Sequence, residues 1–370
     1  MEPNTNHPIL HRPTLIAPHL PPVVGATSLR YKDRMAHDEP SLPLLWETFT
    51  GYQRTAALKA AIELDVFKHI GAGAATIDDL AARSKAAPRG LRALLNHLVQ
   101  DGFLSRNGER FGLTATAAAF LDPSSPSYVG SAATFIASAM IVEGFARLTD
   151  AVRRGGTAIS AEGTLAPEHP VWVDFARAMA PIARLSAELM ANLLDVEHAP
   201  AGKVLDIAAG HGMFGITLAR CNPRLEVTAL DWKNVLAVAE ENARAAGVID
   251  RFKTIKGSAF DVAFGQGYDL VLVPNFLHHF DPPTCERFLA KVHAALAPSG
   301  RVVIVEFVPD EGRTGPPDAV RFALVMLATT PAGDVYSFSE YRKMLQGAGF
   351  GEATLHDLTP TPMRVVIGKR

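Results

Sequence analysis

From residue 203 onward, short apolar runs alternate with amphipathic ones, and this rhythm constrains the fold more than any other feature. "KVLDIAA", "LEVTALD", "RFKTIKGS", "YDLVLVPN" and "RVVIVEFV" read as strands. Helical stretches follow the first and second, over roughly 233–246 after the second, and another covers roughly 283–296. Strands that alternate with helices require a parallel sheet covered on both faces. Two more helical stretches, near 318–328 and 338–347, precede "ATLHDL" and "MRVVIG". A Pro-Thr-Pro turn separates those last runs, so the sheet is expected to end in an antiparallel hairpin.

The first strand runs into Gly210-x-Gly212-x-x-Gly215, with Asp231 about twenty residues further on. Glycines there let backbone approach a nucleotide closely, and ligands of open α/β sheets lie beyond the strands' carboxyl ends. The pattern fits NAD and S-adenosylmethionine equally. Asp206, four residues before Gly210, separates them. A carboxylate beside a pyrophosphate is repulsive, whereas a sulfonium with an amino-acid tail brings positive charge that tolerates it. No second βαβαβ half follows.

The N-terminal part is different. Residues 1–40 carry Pro3, Pro8, Pro13, Pro18, Pro21, Pro22 and Pro40, and proline fixes φ and lacks a donor; a poorly ordered tail is expected. Residues 42–70 read as helical, with Leu45, Phe49, Tyr52, Leu58, Ile62 and Leu64 near helical spacing. Thr76 and Asp79 form a capping-box pattern, and Pro88 opens a helix faced by Leu91, Leu94, Leu95 and Leu98 and followed by Gly102. Asn107-Gly108 predicts the turn of a hairpin. Three helices and a β-wing make a winged helix, which serves either DNA binding or subunit pairing. Arg89, Arg92 and His97 stand near Asp101, an ordinary solvated face and thin for phosphate contacts. Between the parts, residues 128–195 read as further helices. "VWVDFARAMAPIARLSAELMANLL" places Phe175, Met179, Ile182, Leu185 and Leu189 on one core-facing stripe.

Composition bounds the function. The 370 residues suffice for two domains, and the net charge of −2 does not favour nucleic acid. The two cysteines, Cys221 and Cys285, show neither metal nor disulfide spacing. No apolar run reaches the length of a membrane span, and the N-terminus lacks the pattern of a secretory signal. A cytoplasmic location is expected.

The motifs "LDIAAGHG", "NFLHHFD" with its following helix, "APSGRVVIVE" and "YRKMLQGAGF" resemble those of class I S-adenosylmethionine-dependent methyltransferases. More narrowly, residues 42–370 resemble small-molecule O-methyltransferases of the plant caffeate and bacterial antibiotic-tailoring type. The resemblance implies an α/β Rossmann-like sheet, parallel with a C-terminal antiparallel hairpin, behind a winged-helix dimerisation domain. Its expected boundaries are 41–127 for the dimerisation domain, 128–198 for a helical layer and 199–370 for the catalytic domain. It implies a homodimer, S-adenosylmethionine as cofactor, a phenolic or enolic small-molecule acceptor, and no nucleic acid, membrane or metal.

Residue by residue, the resemblance implies that Asp206, Gly210 and Gly212 underlie the cofactor, Asp231 accepts from its ribose and Trp232 covers its adenine. Ser258, Ala259 and Phe260 match the family's "GDxF" segment, with Ser258 replacing the acid that contacts adenine and Asp261 nearby. Asn275 lies beside the expected methyl site. His278 matches the general base and His279 the acid after it; neighbours on a helix diverge by about 100°, so one of the two faces the acceptor. Glu306 matches the acid that orients the base. Val335 stands where the family has a second acid; Asp334, one position away, is the catalytic candidate to replace it. Phe175 and Met179 match a helix that touches cofactor and acceptor, and Phe322 and Met326 close the pocket's other side. The departures leave C-methylation or a non-methylating relative on the same fold as alternatives. A DNA-binding regulator and an NAD oxidoreductase are the rivals outside it.

Overall fold

A computed structural model describes residues 40–370 except 74, 75 and 167. The expected tail, but for Pro40, lies outside the described residues. The chain divides into two units, residues 1–49 and 50–370. The described part of the first is the opening of helix α1 (Leu42–Glu63). Leu45 and Phe49 are 52% and 65% exposed, and Tyr52 is also exposed, so these residues do not form the core stripe that their spacing predicts. The long helix expected over 42–70 breaks at Asp65, whose left-handed φ of 53° separates α1 from α2 (Val66–Gly71).

Two more helices, α3 (Ile77–Ser84) and α4 (Pro88–Gln100), and the antiparallel pair β1 (Leu104–Asn107) and β2 (Arg110–Leu113) follow. The capping box holds: Thr76 Oγ1 accepts from the Asp79 N–H at 3.1 Å, and an Asp79 oxygen accepts from Thr76 N–H. Phe67, Leu80, Leu91, Leu95, Leu98, Leu104 and Phe111 share one small core. Asn107 pairs with Arg110, so the turn is Gly108-Glu109, one residue later than expected. Gly108 takes the positive φ of 61° that the turn needs.

Helix α5 (Ala115–Phe120) leads into a helical layer of α6 (Ala132–Ile136), α7 (Ala139–Ala146), α8 (Leu148–Arg154) and α9 (Val171–Leu193). On α9 the fully covered positions are Ala176, Ala187, Met190 and Ala191, whereas Phe175, Met179, Leu185 and Leu189 are half-buried and Ile182 is exposed. The small residues win the buried face because α9 packs against α6 and against two helices of the sheet domain. Methyl-sized side chains permit that close approach. Phe175 and Met179 are thereby left at a boundary.

The sheet has seven strands: β3 (Gly202–Ile207), β4 (Leu225–Asp231), β5 (Phe252–Lys256), β6 (Tyr268–Pro274), β7 (Leu296–Glu306), β8 (Ala353–Asp357) and β9 (Arg364–Lys369). Their order is β5-β4-β3-β6-β7-β9-β8, with β9 antiparallel to both neighbours and the rest parallel. The expected terminal hairpin is present. Strand β7 starts earlier than "RVVIVEFV": Leu296 pairs with Tyr268 and Arg301 with Leu270, so the expected Pro298-Ser299-Gly300 turn is a bulge within the strand.

Alternation along the strands sorts the core. Val204, Val227, Ala229, Leu272 and Val303 face α9, α10 (Met213–Cys221) and α11 (Lys233–Ala245). Leu205, Leu230, Val271, Val273 and Ile304 face α12 (Pro282–Ala295) and α14 (Phe338–Gly347), with α13 (Pro317–Thr329) between β7 and α14 in the chain. The chain steps outward from β3 through β5, then returns to β6 beside β3. That reversal opens a crevice at the carboxyl ends of β3 and β6, where this architecture places its ligand.

Candidate active site

The crevice floor is the turn after β3. Three glycines serve it for different reasons. Gly210 and Gly212 have φ of 57° and 72°, where a side chain is strained. Gly215 is helical, but a Cβ there lies 2.7 Å from Val227 Cγ1 and 2.9 Å from Asp206 Oδ2, so it allows α10 to seat on the sheet. Ala208 and Asn275, each just past its strand, also take φ near 50°. Neither residue type announces that conformation in the sequence.

Asp206 is fully buried, with one oxygen accepting from the Gly215 N–H at 3.0 Å and Oδ1 without a partner. Burial pushes its pKa up to about 7; the Gly215 N–H opposes the rise and the Asp231 charge adds to it. Asp231 accepts from the Gly210 N–H at 2.8 Å and the Trp232 N–H at 2.6 Å, one on each oxygen. Burial raises it to about 6 against those two donors. Each Asp231 oxygen keeps a lone pair for a further donor. Two buried acids of raised pKa at one turn fit a cationic ligand bearing a diol, and oppose a pyrophosphate. The residues therefore fit S-adenosylmethionine.

The neighbouring contacts are aromatic. Phe175 lies against Gly210, where a Cβ meets its ring at 3.6 Å. Its ring centroid is 6.1 Å from that of His211, 5.0 Å from Phe135 and 5.8 Å from Trp172. Trp172 is 5.3 Å from His279, which is 4.3 Å from His278, which is 4.8 Å from Phe322. Phe322 stacks on Phe307 at 4.2 Å. A continuous wall thus joins the glycine turn to the paired histidines. Trp172 is a link in it that sequence reasoning missed. Met326 is buried on α13, one helical turn beyond Phe322. Trp232, at the start of α11, packs on the cluster of Ala176, Val235 and Val238, as do Trp172 and Val173.

Ser258 caps its own turn, its Oγ accepting from the Phe260 N–H at 3.2 Å. Ala259 is buried, and Phe260 joins a cluster with Phe276, Phe280 and Phe288. Lys291 donates to the carbonyls of Ala259 and Phe260 at 2.9 and 2.8 Å. It is a buttress that no motif indicated. Asp261 is exposed.

The turn after β6 carries the histidines. Glu306, fully buried at the end of β7, organises it. Oε1 accepts from the N–H groups of Phe276, Leu277 and His278 at 2.9, 3.0 and 3.4 Å. Oε2 lies 2.5 Å from His278 Nδ1. Ionised Glu306 is acceptor-only, so Nδ1 carries the proton and Nε2 presents its lone pair. His278 Nε2 has no hydrogen-bond partner among the described residues. His279 is also buried, with Nδ1 unpartnered. Burial, and then His278, push its pKa well below the ordinary value and keep it neutral. No cluster of metal-ligating side chains occurs among the described residues.

Asp334 is a correction. It does not approach His278: its side chain is 44% exposed and pairs with Arg313 at 2.9 Å. Arg313 also holds the Val335 carbonyl and, with both oxygens, Glu340. A surface guanidinium offers Asp334 a charged partner without desolvation, and the buried His278 turn offers none. Instead, Gly333 meets the histidine turn through its backbone; a Cβ there lies 2.3 Å from the His278 carbonyl oxygen.

The O-methyltransferase domain family matches residues 145–351, and the O-methyltransferase dimerisation domain matches 46–123. This chain belongs to the O-methyltransferase family. A 3-hydroxy-5-methyl-1-naphthoate 3-O-methyltransferase from Streptomyces sahachiroi is 30% identical over 88% of this chain and 94% of its own. A provisionally assigned O-methyltransferase from Nostoc punctiforme, solved by crystallography, is 51% identical with a TM-score of 0.85, over 90% of this chain and all of its own. Human N-acetylserotonin methyltransferase, solved with S-adenosylmethionine, shares the fold at 21% identity and a TM-score of 0.79, over 90% and 99% of the chains. The enzyme is an S-adenosylmethionine-dependent O-methyltransferase of the kind that modifies small molecules in secondary metabolism. No single described helix is long and apolar enough to cross a membrane.

Proposed function

We propose that His278 takes the proton from a phenolic or enolic hydroxyl of a small secondary metabolite, so that the acceptor is methylated on oxygen. The observation that carries this is the His278–Glu306 pair, at 2.5 Å and fully buried. A hydroxyl is a weak nucleophile until deprotonated, and an imidazole titrates in the range where it can accept and release that proton. S-adenosylmethionine, when bound, would supply an electrophilic methyl carbon, whose bond to the sulfonium sulfur is the one exchanged for the bond to the acceptor oxygen. The chain's own residues do the rest. Asp231 holds the ribose hydroxyls, and Gly210 and Gly212 bring backbone under the donor. Asp206 faces its positive charge, and Trp232, Ser258, Ala259 and Phe260 surround the adenine. Phe175, Met179, Phe322 and Met326 hold a flat acceptor, with Asn275 beside the methyl site. His278 Nε2 receives the hydroxyl proton while Glu306 keeps Nδ1–H in place.

The relative from S. sahachiroi is named for a hydroxynaphthoate, which makes hydroxylated naphthoates and phenols the acceptors to screen. We assign residues 41–127 to a winged-helix unit that pairs two copies, 128–198 to the helical layer over the acceptor and 199–370 to the donor-binding domain. The net charge of −2 does not favour nucleic acid as a partner, and two cysteines without disulfide spacing suit a reducing cytoplasm. Replacing His278 by alanine tests the base: turnover should fall roughly 100- to 10,000-fold while affinity for S-adenosylhomocysteine, read by calorimetry, stays unchanged. Turnover within threefold of the parent refutes the role.

A further inference from the structure

The glycine turn holds a buried imidazole for which donor cradle and base have no use. His211 sits between Gly210 and Gly212 and is only 5% exposed. Its Nδ1 accepts from the Met213 N–H at 3.1 Å, at the first turn of α10. Its carbonyl accepts from the Asn242 side chain at 2.9 Å. The backbone is thus held on one side and the ring on the other, with the ring lying 20° from the plane of Phe175.

An imidazole that accepts at Nδ1 carries its proton on Nε2. That N–H has no hydrogen-bond partner among the described residues. Burial alone pushes the ring's pKa down to about 4, so it stays neutral and Nε2–H is a donor at physiological pH. The residue is buried, but Nε2 itself keeps some exposure, so its N–H is open to an acceptor that a ligand brings. The N-terminus of α10, whose first N–H donates to His211 Nδ1, adds a field that favours negative charge. Of the neighbouring acids, Asp231 accepts from Gly210 and Trp232, and Asp206 accepts from Gly215 through one oxygen while its Oδ1 has no partner.

We propose that His211 Nε2–H binds the carboxylate of the donor's amino-acid tail, and so selects donors that carry an intact amino acid. This rests on the reading of the glycine turn as the S-adenosylmethionine site. The donor is cationic at sulfur and amine, which answers Asp206 and Asp231; its one anionic group needs a donor, and His211 is the neutral one at that turn. A neutral donor suits the position, because a lysine or arginine there would compete with the donor's own cations for the two acids.

The test uses calorimetric titration of the whole protein with three probes: S-adenosylhomocysteine, its decarboxylated analogue, which keeps the amine, and 5′-methylthioadenosine, which lacks the tail. His211→Asn keeps an acceptor for the Met213 N–H and removes the Nε2 donor. Its affinity for S-adenosylhomocysteine should fall roughly 10- to 100-fold, the range for a hydrogen bond to a charged group, with the other two probes changed less than twofold. His211→Gln, whose amide nitrogen reaches further, should recover part of the loss. In the parent, the His211 Nε2–H proton resonance should move downfield with S-adenosylhomocysteine and not with the decarboxylated analogue, a readout that needs no variant to fold. Equal loss for all three probes, or no loss for any, overturns the role of His211. Failure of the parent to bind S-adenosylhomocysteine overturns the donor site itself, and this assignment with it.

Discussion

Replacing Glu306 by glutamine separates orientation of the base from support of the fold. Glu306 accepts three backbone N–H groups through Oε1 and faces His278 Nδ1 through Oε2. In Glu306→Gln the amide oxygen must stay on the backbone side, because an NH2 there would face three donors. The NH2 is then directed at His278 Nδ1, which must become an acceptor. The ring proton moves to Nε2 and removes the lone pair that the reaction uses. The fold loses little, about 1 kcal/mol, since every hydrogen bond is replaced. Turnover should fall roughly 1,000- to 10,000-fold, as expected when an orienting acid is replaced by its amide and the wrong tautomer results.

Glu306→Ala makes the contrast. It leaves three buried N–H groups without acceptors at about 1–3 kcal/mol each, a large fraction of the 5–15 kcal/mol that holds a typical domain. The alanine variant should therefore unfold or melt far below the parent, and the glutamine variant should not. The assay is methyl transfer from labelled S-adenosylmethionine to whichever phenol or naphthoate the acceptor screen yields, run beside thermal melts. Long-range 15N–1H spectra report the tautomer of His278 directly. A glutamine variant that keeps Nδ1 protonated, or that turns over within tenfold of the parent with Nε2 protonated, refutes the reasoning.

The remaining predictions follow from single contacts. Asp334→Ala should leave turnover within twofold, because the side chain is a surface partner of Arg313; a loss like that of His278→Ala would return it to the catalytic set. Asp206 binds its proton more tightly folded than unfolded, so its burial destabilises the protein as the group ionises. The unliganded enzyme should be most stable below pH 4 as far as this residue is concerned, and lose stability as pH rises from about 4 to 7. With a folded pKa of about 7 against an ordinary value near 4, the span is roughly 4 kcal/mol. Melts of Asp206→Asn across pH 4–8 should lack that slope, and a slope equal to the parent's removes Asp206 as its source. Gly215→Ala should cost about 1–3 kcal/mol by overpacking against Val227 and Asp206, measured in urea. Leu45→Glu with Phe49→Glu should shift the protein to monomer in light scattering, since both are exposed apolar residues of α1, Phe49 inside the matched dimerisation domain and Leu45 one residue before it.

Strand and helix order was legible because the central strands β3, β6 and β7 are largely buried on both faces and read as apolar runs, while the helices between strands show a 3.6-residue period. Caps and glycines were legible for a local reason: Thr76 and Pro88 act on the first turn of their own helices, and Gly210 and Gly212 relieve strain in their own φ. What failed depended on distant partners. The stripe on α9 was misread because Ala176, Ala187 and Ala191 are chosen by the helices that press on them, which their own spacing does not record. The hairpin slipped by one residue because two adjacent positions both suit a turn. Asp334 was placed beside the base by proximity in sequence, and Arg313, twenty-one residues earlier, takes it. Left-handed Ala208 and Asn275 were invisible, since neither type requires that backbone.

Where the resemblance implies a second acid, this chain has the buried apolar Val335, and the surrounding geometry suggests how one acid could suffice. Two acids on one imidazole hold its ring in place and also load the site with negative charge. Here a single acid does both tasks by dividing its oxygens: Oε1 fixes the peptide turn that carries His278, and Oε2 fixes the ring. Gly333 supplies what a second acid would otherwise add in position, by placing backbone against the His278 and His279 peptides. Gly333→Ala tests this division. A Cβ there overlaps the His278 carbonyl oxygen at 2.3 Å, so the turn must shift, and a shift of about 1 Å near a reacting group costs roughly 100-fold. The loss should appear in kcat with affinity for S-adenosylhomocysteine unchanged, because the donor cradle sits on β3 and β4, across the crevice from the displaced turn. A loss confined to donor affinity, with kcat kept, would assign Gly333 to the donor side and leave Glu306 alone responsible for the base.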